Sequence, residues 1–285
     1  MSDEPTAGGP EPNRGLADLV AANPAWYHTL DLGQGVVTPG WFDLRPVLDR
    51  MPWPDVSGKR CLDVGPYDGA LAFELERRGA AEVIAADIAD TASWDWPLRL
   101  RVRGPEVRNR LAGVDPGAGF KIAKQALSSK VERVEVSIYE LSPESVGEFD
   151  VISCGSLLLH LQNPVAGLEA IHSVCRPDGH FLSAETISPG LSLLRPKAPV
   201  AQFESGEQCR WWTPNRAGHK ALLRSAGFTI EREAKPYAIP FGPGHHVAAV
   251  GDGRPRRTRL ATRLLGGGPG LTHAAVLARP EALGA

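Results

Sequence analysis

Along the chain, short apolar runs alternate with stretches of helical spacing. Arg60-Cys61-Leu62-Asp63-Val64 predicts a strand, and Leu71, Phe73 and Leu75 in a charged surround predict a helix over 69–78. Strands are expected at 82–87, at 131–138 ending at Tyr139-Glu140, at 149–155, at 180–186 after the Pro177-Asp178-Gly179 turn, at 228–234, and at 272–278. Helices are expected at 15–25, 44–52 and 120–127. Two more are punctuated by their ends. One is capped by Asn163 with Pro164 in its first turn and runs to about Val174; the other is capped by Thr213 and ended by Gly227. Strands alternating with helices throughout imply an α/β protein with a doubly wound, largely parallel sheet covered on both faces.

Four regions follow from composition. Residues 1–15 are acidic and rich in proline and glycine, which predicts a disordered tail. Residues 16–58 carry Trp26, Tyr27, His28, Trp41 and Phe42 without a clean period, which predicts an ordered arm or lid. Residues 59–252 hold the alternating elements, interrupted at 90–119 by Trp94, Trp96, Arg99, Arg101, Arg103, Arg108 and Arg110. Residues 253–285 bring a basic segment, with six arginines and no acid between 253 and 280, and then the final strand of the same domain.

The chemistry is expected where the strands end. Ligands of open α/β sheets bind beyond the carboxyl ends of the strands. Gly65 and Gly69 follow the first strand and permit a sharp turn with close backbone approach. Asp87 ends the second strand, about 20 residues on, the spacing at which a carboxylate meets a ribose diol. The second glycine of the dinucleotide fingerprint is missing near Tyr67, so the turn is a poor pyrophosphate cradle. It suits a nucleoside without phosphate, such as S-adenosylmethionine.

Composition narrows the classes. The chain has 285 residues, is 42% hydrophobic and 22% charged, and carries a net charge of −2, with no global attraction to nucleic acid or anionic membranes. No apolar run approaches the length of a membrane span and no signal peptide precedes the first helix. Cys61, Cys154, Cys175 and Cys209 are scattered, and His245-His246 lacks further ligands nearby. The expectation is a cytoplasmic protein with incidental thiols and no metal centre.

The motifs LDVGPYDG (62–69), FDVISCGSLLLHLQNP (149–164), WWTPN (211–215) and AGF (226–228), with the Trp26-Tyr27-His28 arm and the Asp87 strand end, resemble the class I S-adenosylmethionine-dependent methyltransferases. More narrowly, they resemble bacterial proteins related to the tRNA wobble-uridine carboxymethyltransferase family. The resemblance spans most of 26–228. It implies a Rossmann-like, mostly parallel seven-stranded sheet with an N-terminal arm, and S-adenosylmethionine as the cofactor. The related family holds the extra carboxylate of an unusual donor with cationic residues and a tyrosine. Here Phe42 and Leu159 stand where its lysine and tyrosine fall, and an unpaired buried carboxylate beside them is costly. Ordinary S-adenosylmethionine is therefore the expected donor.

On this reading Asp63, Gly65, Tyr67, Gly69, Asp87, Ile88, Tyr139, Cys154 and Gly155 form the cofactor site. Trp26, Tyr27, Trp41 and Phe42 wall the acceptor. His160 and His28 are the candidate bases, because an imidazole titrates near neutrality; Asp43 and Glu185 are weaker ones. The expected reaction is methyl transfer to oxygen or nitrogen of a small molecule. The alternatives are a tRNA methyltransferase using the arginines of 99–110 and 254–263 on phosphates, and a non-catalytic S-adenosylmethionine-binding protein.

Overall fold

In the computed structural model, residues 14–103, 115, 117–204, 210–245 and 256–282 are described. The tail expected over 1–15 falls outside them up to residue 13, as do Arg108, Arg110, Cys209, His246 and Arg254.

The chain opens with α1 (Arg14–Ala22) and an arm. It continues through β1 (Arg60–Val64), α2 (Ala70–Arg77), β2 (Glu82–Asp87), α3 (Leu98–Arg103), α4 (Ala118–Ala126), β3 (Glu132–Glu135), α5 (Pro143–Val146), β4 (Phe149–Gly155), α6 (Pro164–Ser173) and β5 (Cys175–Thr186). It closes with α7 (Pro189–Leu194), β6 (Ala201–Phe203), β7 (Trp212–Pro214), α8 (Arg216–Ser225), β8 (Phe228–Glu233), β9 (Tyr237–Ile239), α9 (Arg256–Gly266) and β10 (Leu271–Pro280). The main sheet has the order β3-β2-β1-β4-β5-β10-β8, with β9 paired to one end of β10. β3 to β5 are parallel, and β10 runs antiparallel to both β5 and β8. This is the expected doubly wound, mostly parallel sheet, with β9 as an additional short strand.

Strand alternation divides the core into two faces. Leu62, Val64, Ile152 and Phe181 pack with Leu168, Ile171 and Leu223 of α6 and α8. Cys61, Val83, Ala85 and Val151 face the other way, onto Leu75 and Phe120. Leu182 and Ala184 face Leu44, Met51, Tyr237 and Ile239, which extend this second face toward the arm. Asp63 shares parity with Cys61, so its carboxyl is directed to the face that the arm covers.

Several local expectations shift. The 131–138 strand ends at Glu135, and Ile138–Glu140 is a single 3-10 turn capped by the Ser137 hydroxyl. Residues 44–52 form turns and a 3-10 helix at Leu48–Arg50. The helix after Trp211-Trp212 is capped by Asn215, whose side chain accepts from the Gly218 amide, because Thr213 and Pro214 belong to β7. β5 begins at Cys175, with an irregular register opposite Phe149 to Val151, so the Pro177–Gly179 turn lies within the strand. Asn163 does cap α6, accepting from the Ala166 amide.

Candidate active site

The turn after β1 builds one wall of a cleft over the carboxyl edge of the sheet. Gly65 has φ 72°, and a Cβ there would lie 2.8 Å from the Leu157 side chain, so a larger residue is strained and must displace Leu157. Gly69 (φ 95°) precedes α2, and a Cβ would strike Phe73 and Phe120. Between them Asp87 accepts the Tyr67 amide (3.1 Å) and the Ile88 amide (2.9 Å), tying the turn to the tip of β2. Burial raises the Asp87 carboxyl above its usual range, against the pull of Arg133.

Asp63 is buried beneath this turn. Its Oδ1 accepts from Ser153 Oγ at 2.7 Å, while Oδ2 has no partner among the described residues. Burial pushes its pKa up to about 7. Asp63, Gly65, Pro66, Leu71, Gly155, Ser156, Ala184 and His28 line a cleft of about 370 Å³, including its open mouth. A solvent-deprived carboxylate oxygen without a hydrogen-bond partner, beneath a glycine-bounded turn, fits a cationic ligand such as the ammonium and sulfonium of S-adenosylmethionine.

The cleft continues beneath the arm into a second, half-open part of about 200 Å³ including its mouth, lined by Tyr27, His28, Phe42, Leu44, Ser156, Ile239, Leu271 and His273. The arm is fastened by Asp68, which is fully buried. Asp68 Oδ2 accepts the amides of Tyr27 and His28 (2.8 Å each), and Oδ1 pairs with His28 Nδ1. Facing a carboxylate, Nδ1 bears a proton, which leaves Nε2 as the ring nitrogen turned to other groups. His28 borders both parts of the cleft. Burial, with the Glu185 carboxylate nearby, raises the Tyr27 phenol well above its ordinary range, so it stays neutral.

At the far wall His273 Nδ1 donates to Leu271 O (3.0 Å), so Nε2 accepts from Ser156 Oγ (2.8 Å) and Thr186 Oγ1 (3.0 Å). Burial lowers the His273 pKa to about 4, and the ring is neutral. Ser156 adopts φ 54°, a left-handed conformation that costs a non-glycine residue about 1–2 kcal/mol. Strain of this kind gathers at functional sites.

The expected site residues are thus divided. Asp63, Gly65, Gly155 and His28 line the part of the cleft beside the glycine turn, Tyr27 and Phe42 line the part beneath the arm, and Asp87, Tyr67 and Ile88 hold the turn. Trp26 is displaced from the expected acceptor wall. It is 2% exposed in the core with Val20 and Phe120, its indole donating to Val20 O, so it anchors the arm. Trp41 sits at the rim, edge-on to Tyr27. Cys154 is buried with its thiol toward Glu185, and Tyr139 is half-exposed, its hydroxyl donating to Asp95 (2.6 Å). His160 ends the 3-10 turn Leu158–His160 and is not among the described residues that line the cleft. Asp43 is forked by Arg45, and Glu185 is buried with its pKa raised to about 8 by desolvation. Asp68, Ser156 and His273 carry the site without having been singled out. The buried polar pair Thr272-His273 at the start of an apolar strand was the available signal. The antiparallel last strand brings its beginning to the carboxyl edge of β5, opposite Thr186.

A glycine turn and two strand-end carboxylates beneath an arm on this sheet are the features of a class I methyltransferase that uses S-adenosylmethionine. A methyltransferase-domain profile matches residues 43–233, and the chain belongs to that family. It is 27% identical to the ubiquinone biosynthesis O-methyltransferase of Acinetobacter baumannii strain ACICU over 193 residues, 64% of this chain and 70% of that one. It is 30% identical to the enzyme of the same name from Marinobacter nauticus over 137 residues, 47% of each chain. These relatives are named for ubiquinone biosynthesis, not for tRNA modification. The solved N-terminal domain of EvdMO1 with SAH bound shares the fold, with a TM-score of 0.51 and 16% identity over 96% of this chain and all of that one.

Proposed function

We propose that the protein methylates a hydroxyl oxygen of a small, largely apolar acceptor, with His28 as general base. The observation that carries this is the His28–Asp68 pair: a tautomer fixed through Nδ1, with Nε2 on a ring that borders both the donor and the acceptor parts of the cleft. The names of the relatives support oxygen as the atom methylated.

Asp63, with the Gly65 turn, and Asp87 are the residues that would hold the donor, by its cationic end and its ribose respectively. When bound, S-adenosylmethionine supplies an electrophilic methyl group. Tyr27, Phe42, Leu44, Ile239 and Leu271 enclose the acceptor and exclude water. His28 Nε2 takes the hydroxyl proton, and Asp68 balances the imidazolium that results. Ser156 donates a hydrogen bond to His273 Nε2, so its oxygen lone pairs remain to accept from a hydroxyl or amine of the acceptor. Methyl transfer needs alignment more than covalent help, and the cleft supplies it.

Among the described residues, no lysine or arginine lines the part of the cleft beside the glycine turn. This supports S-adenosylmethionine itself over a donor with an additional carboxylate, and weighs against the wobble-uridine carboxymethyl reaction. The test is a radiolabelled-methyl screen of hydroxylated aromatic acceptors and bulk tRNA. Label in small phenolic products supports the reading; label in tRNA alone contradicts it.

A further inference from the structure

We propose that the outward face of α7 and α9 docks on an anionic lipid bilayer. α9 is built the reverse of a core helix: Thr262 and Gly266 are buried, while Leu260 and Leu264, one turn apart, are 58% and 70% exposed. Thr262 returns its hydroxyl to Thr258 O, and Gly266 lies so close to Ala238 that a Cβ would come within 3.0 Å of its amide nitrogen. Small residues thus seat the helix while its leucines face out. α9 packs beside α7, where Leu193 and Leu194 are 47% and 77% exposed.

Cations frame these leucines. Arg256, Arg257 and Arg263 on α9 and Arg195 and Lys197 after α7 are exposed, and none forms an ion pair among the described residues. The sequence from 253 to 280 contains no acid, so a chain of net charge −2 concentrates positive charge here. Arginines ringing exposed leucines on a helix too short and too charged to cross a membrane match the interfacial, in-plane mode of lipid binding. Phosphate on RNA would satisfy the arginines only. RNA recognition adds stacking aromatics, and these two helices present none. A second copy meeting this face about a two-fold axis would oppose like charges.

The surface borders the site. α9 packs on β9, whose Ile239 lines the acceptor end of the cleft together with Leu271. Docking there would bring that end of the cleft close to the bilayer, a suitable place for an apolar acceptor.

The test is co-sedimentation of the full chain with phosphatidylcholine vesicles, with and without phosphatidylglycerol, across a salt series. We expect binding only with phosphatidylglycerol, weakening with salt. Leu260→Ser with Leu264→Ser, and separately Arg256→Gln with Arg257→Gln and Arg263→Gln, should each weaken it by roughly tenfold or more. Affinity for S-adenosylhomocysteine should be unchanged in both, which reports folding. The proposal is overturned by no vesicle binding by the native chain, by vesicle binding indifferent to the leucines, or by a light-scattering dimer that the leucine variant dissolves. Tight binding to bulk tRNA lost only in the arginine variant would assign the face to RNA. The assay needs no acceptor, so its failure leaves the His28 reading standing, and the converse holds.

Discussion

Asp68 holds His28 at two points, its backbone amide and its imidazole Nδ1, and takes the Tyr27 amide as a third. One buried carboxylate thus fastens the arm to the donor turn and sets the tautomer of the candidate base. Asp68→Asn can still accept the two amides, but its NH2 group can face Nδ1 and favour the other tautomer. Turnover should fall by roughly 10- to 1,000-fold, with affinity for S-adenosylhomocysteine little changed. Equal losses in both would show that Asp68 acts only through the arm's fold.

The donor turn gives a pH-dependent prediction. Asp63 has a pKa near 7 in the free protein, raised by burial, and a cationic ligand favours its ionised form. Affinity for S-adenosylhomocysteine should rise with pH up to about 7 and then level, with proton release on binding below that point. Calorimetry in buffers of different ionisation enthalpy measures both. A flat profile from pH 6 to 8 would remove Asp63 from the donor site.

The same shift predicts a trade between stability and binding. Because the folded pKa lies above the unfolded 3.8, the contribution of protonated Asp63 is full at acid pH and is lost as pH rises through about 7. At pH 8 Asp63→Asn should therefore melt higher than the native chain while binding the donor product more weakly, by about 1.5–3 kcal/mol. Thermal melts and calorimetry at pH 5 and 8 check the sign. A lower melting point at pH 8 contradicts it.

Asp87→Ala should cost about 1.5–3 kcal/mol of donor affinity through the lost ribose contacts, and should loosen the turn it holds at Tyr67 and Ile88. Adenosine and 2′-deoxyadenosine, compared by competition, separate the two effects. Discrimination between them should vanish in the variant. If it persists, the carboxylate only braces the turn.

What was legible in the sequence was local. Asp63, Gly65, Gly69 and Asp87 lie on one strand-turn-helix-strand unit, so their spacing alone predicts their convergence. His28 and Asp68 are 40 residues apart, and Ser156 and His273 are 117 apart. No periodicity joins such pairs; the strand order of the sheet does. Trp26 looked like an acceptor wall because aromatic bulk in an aperiodic segment has no face, and only the packing against Val20 and Phe120 gives it one. The basic segment over 253–285 is evident from composition, but its helix α9 is not, because Leu260 and Leu264 point outward and give no pattern of a buried face.

The central claim is that His28 removes the acceptor proton. The direct measurement is single-turnover methyl transfer by His28→Gln, set beside its affinity for S-adenosylhomocysteine. The predicted result is a rate lower by about 10²–10⁴-fold with donor affinity retained. A variant that transfers methyl at the native rate would contradict the account.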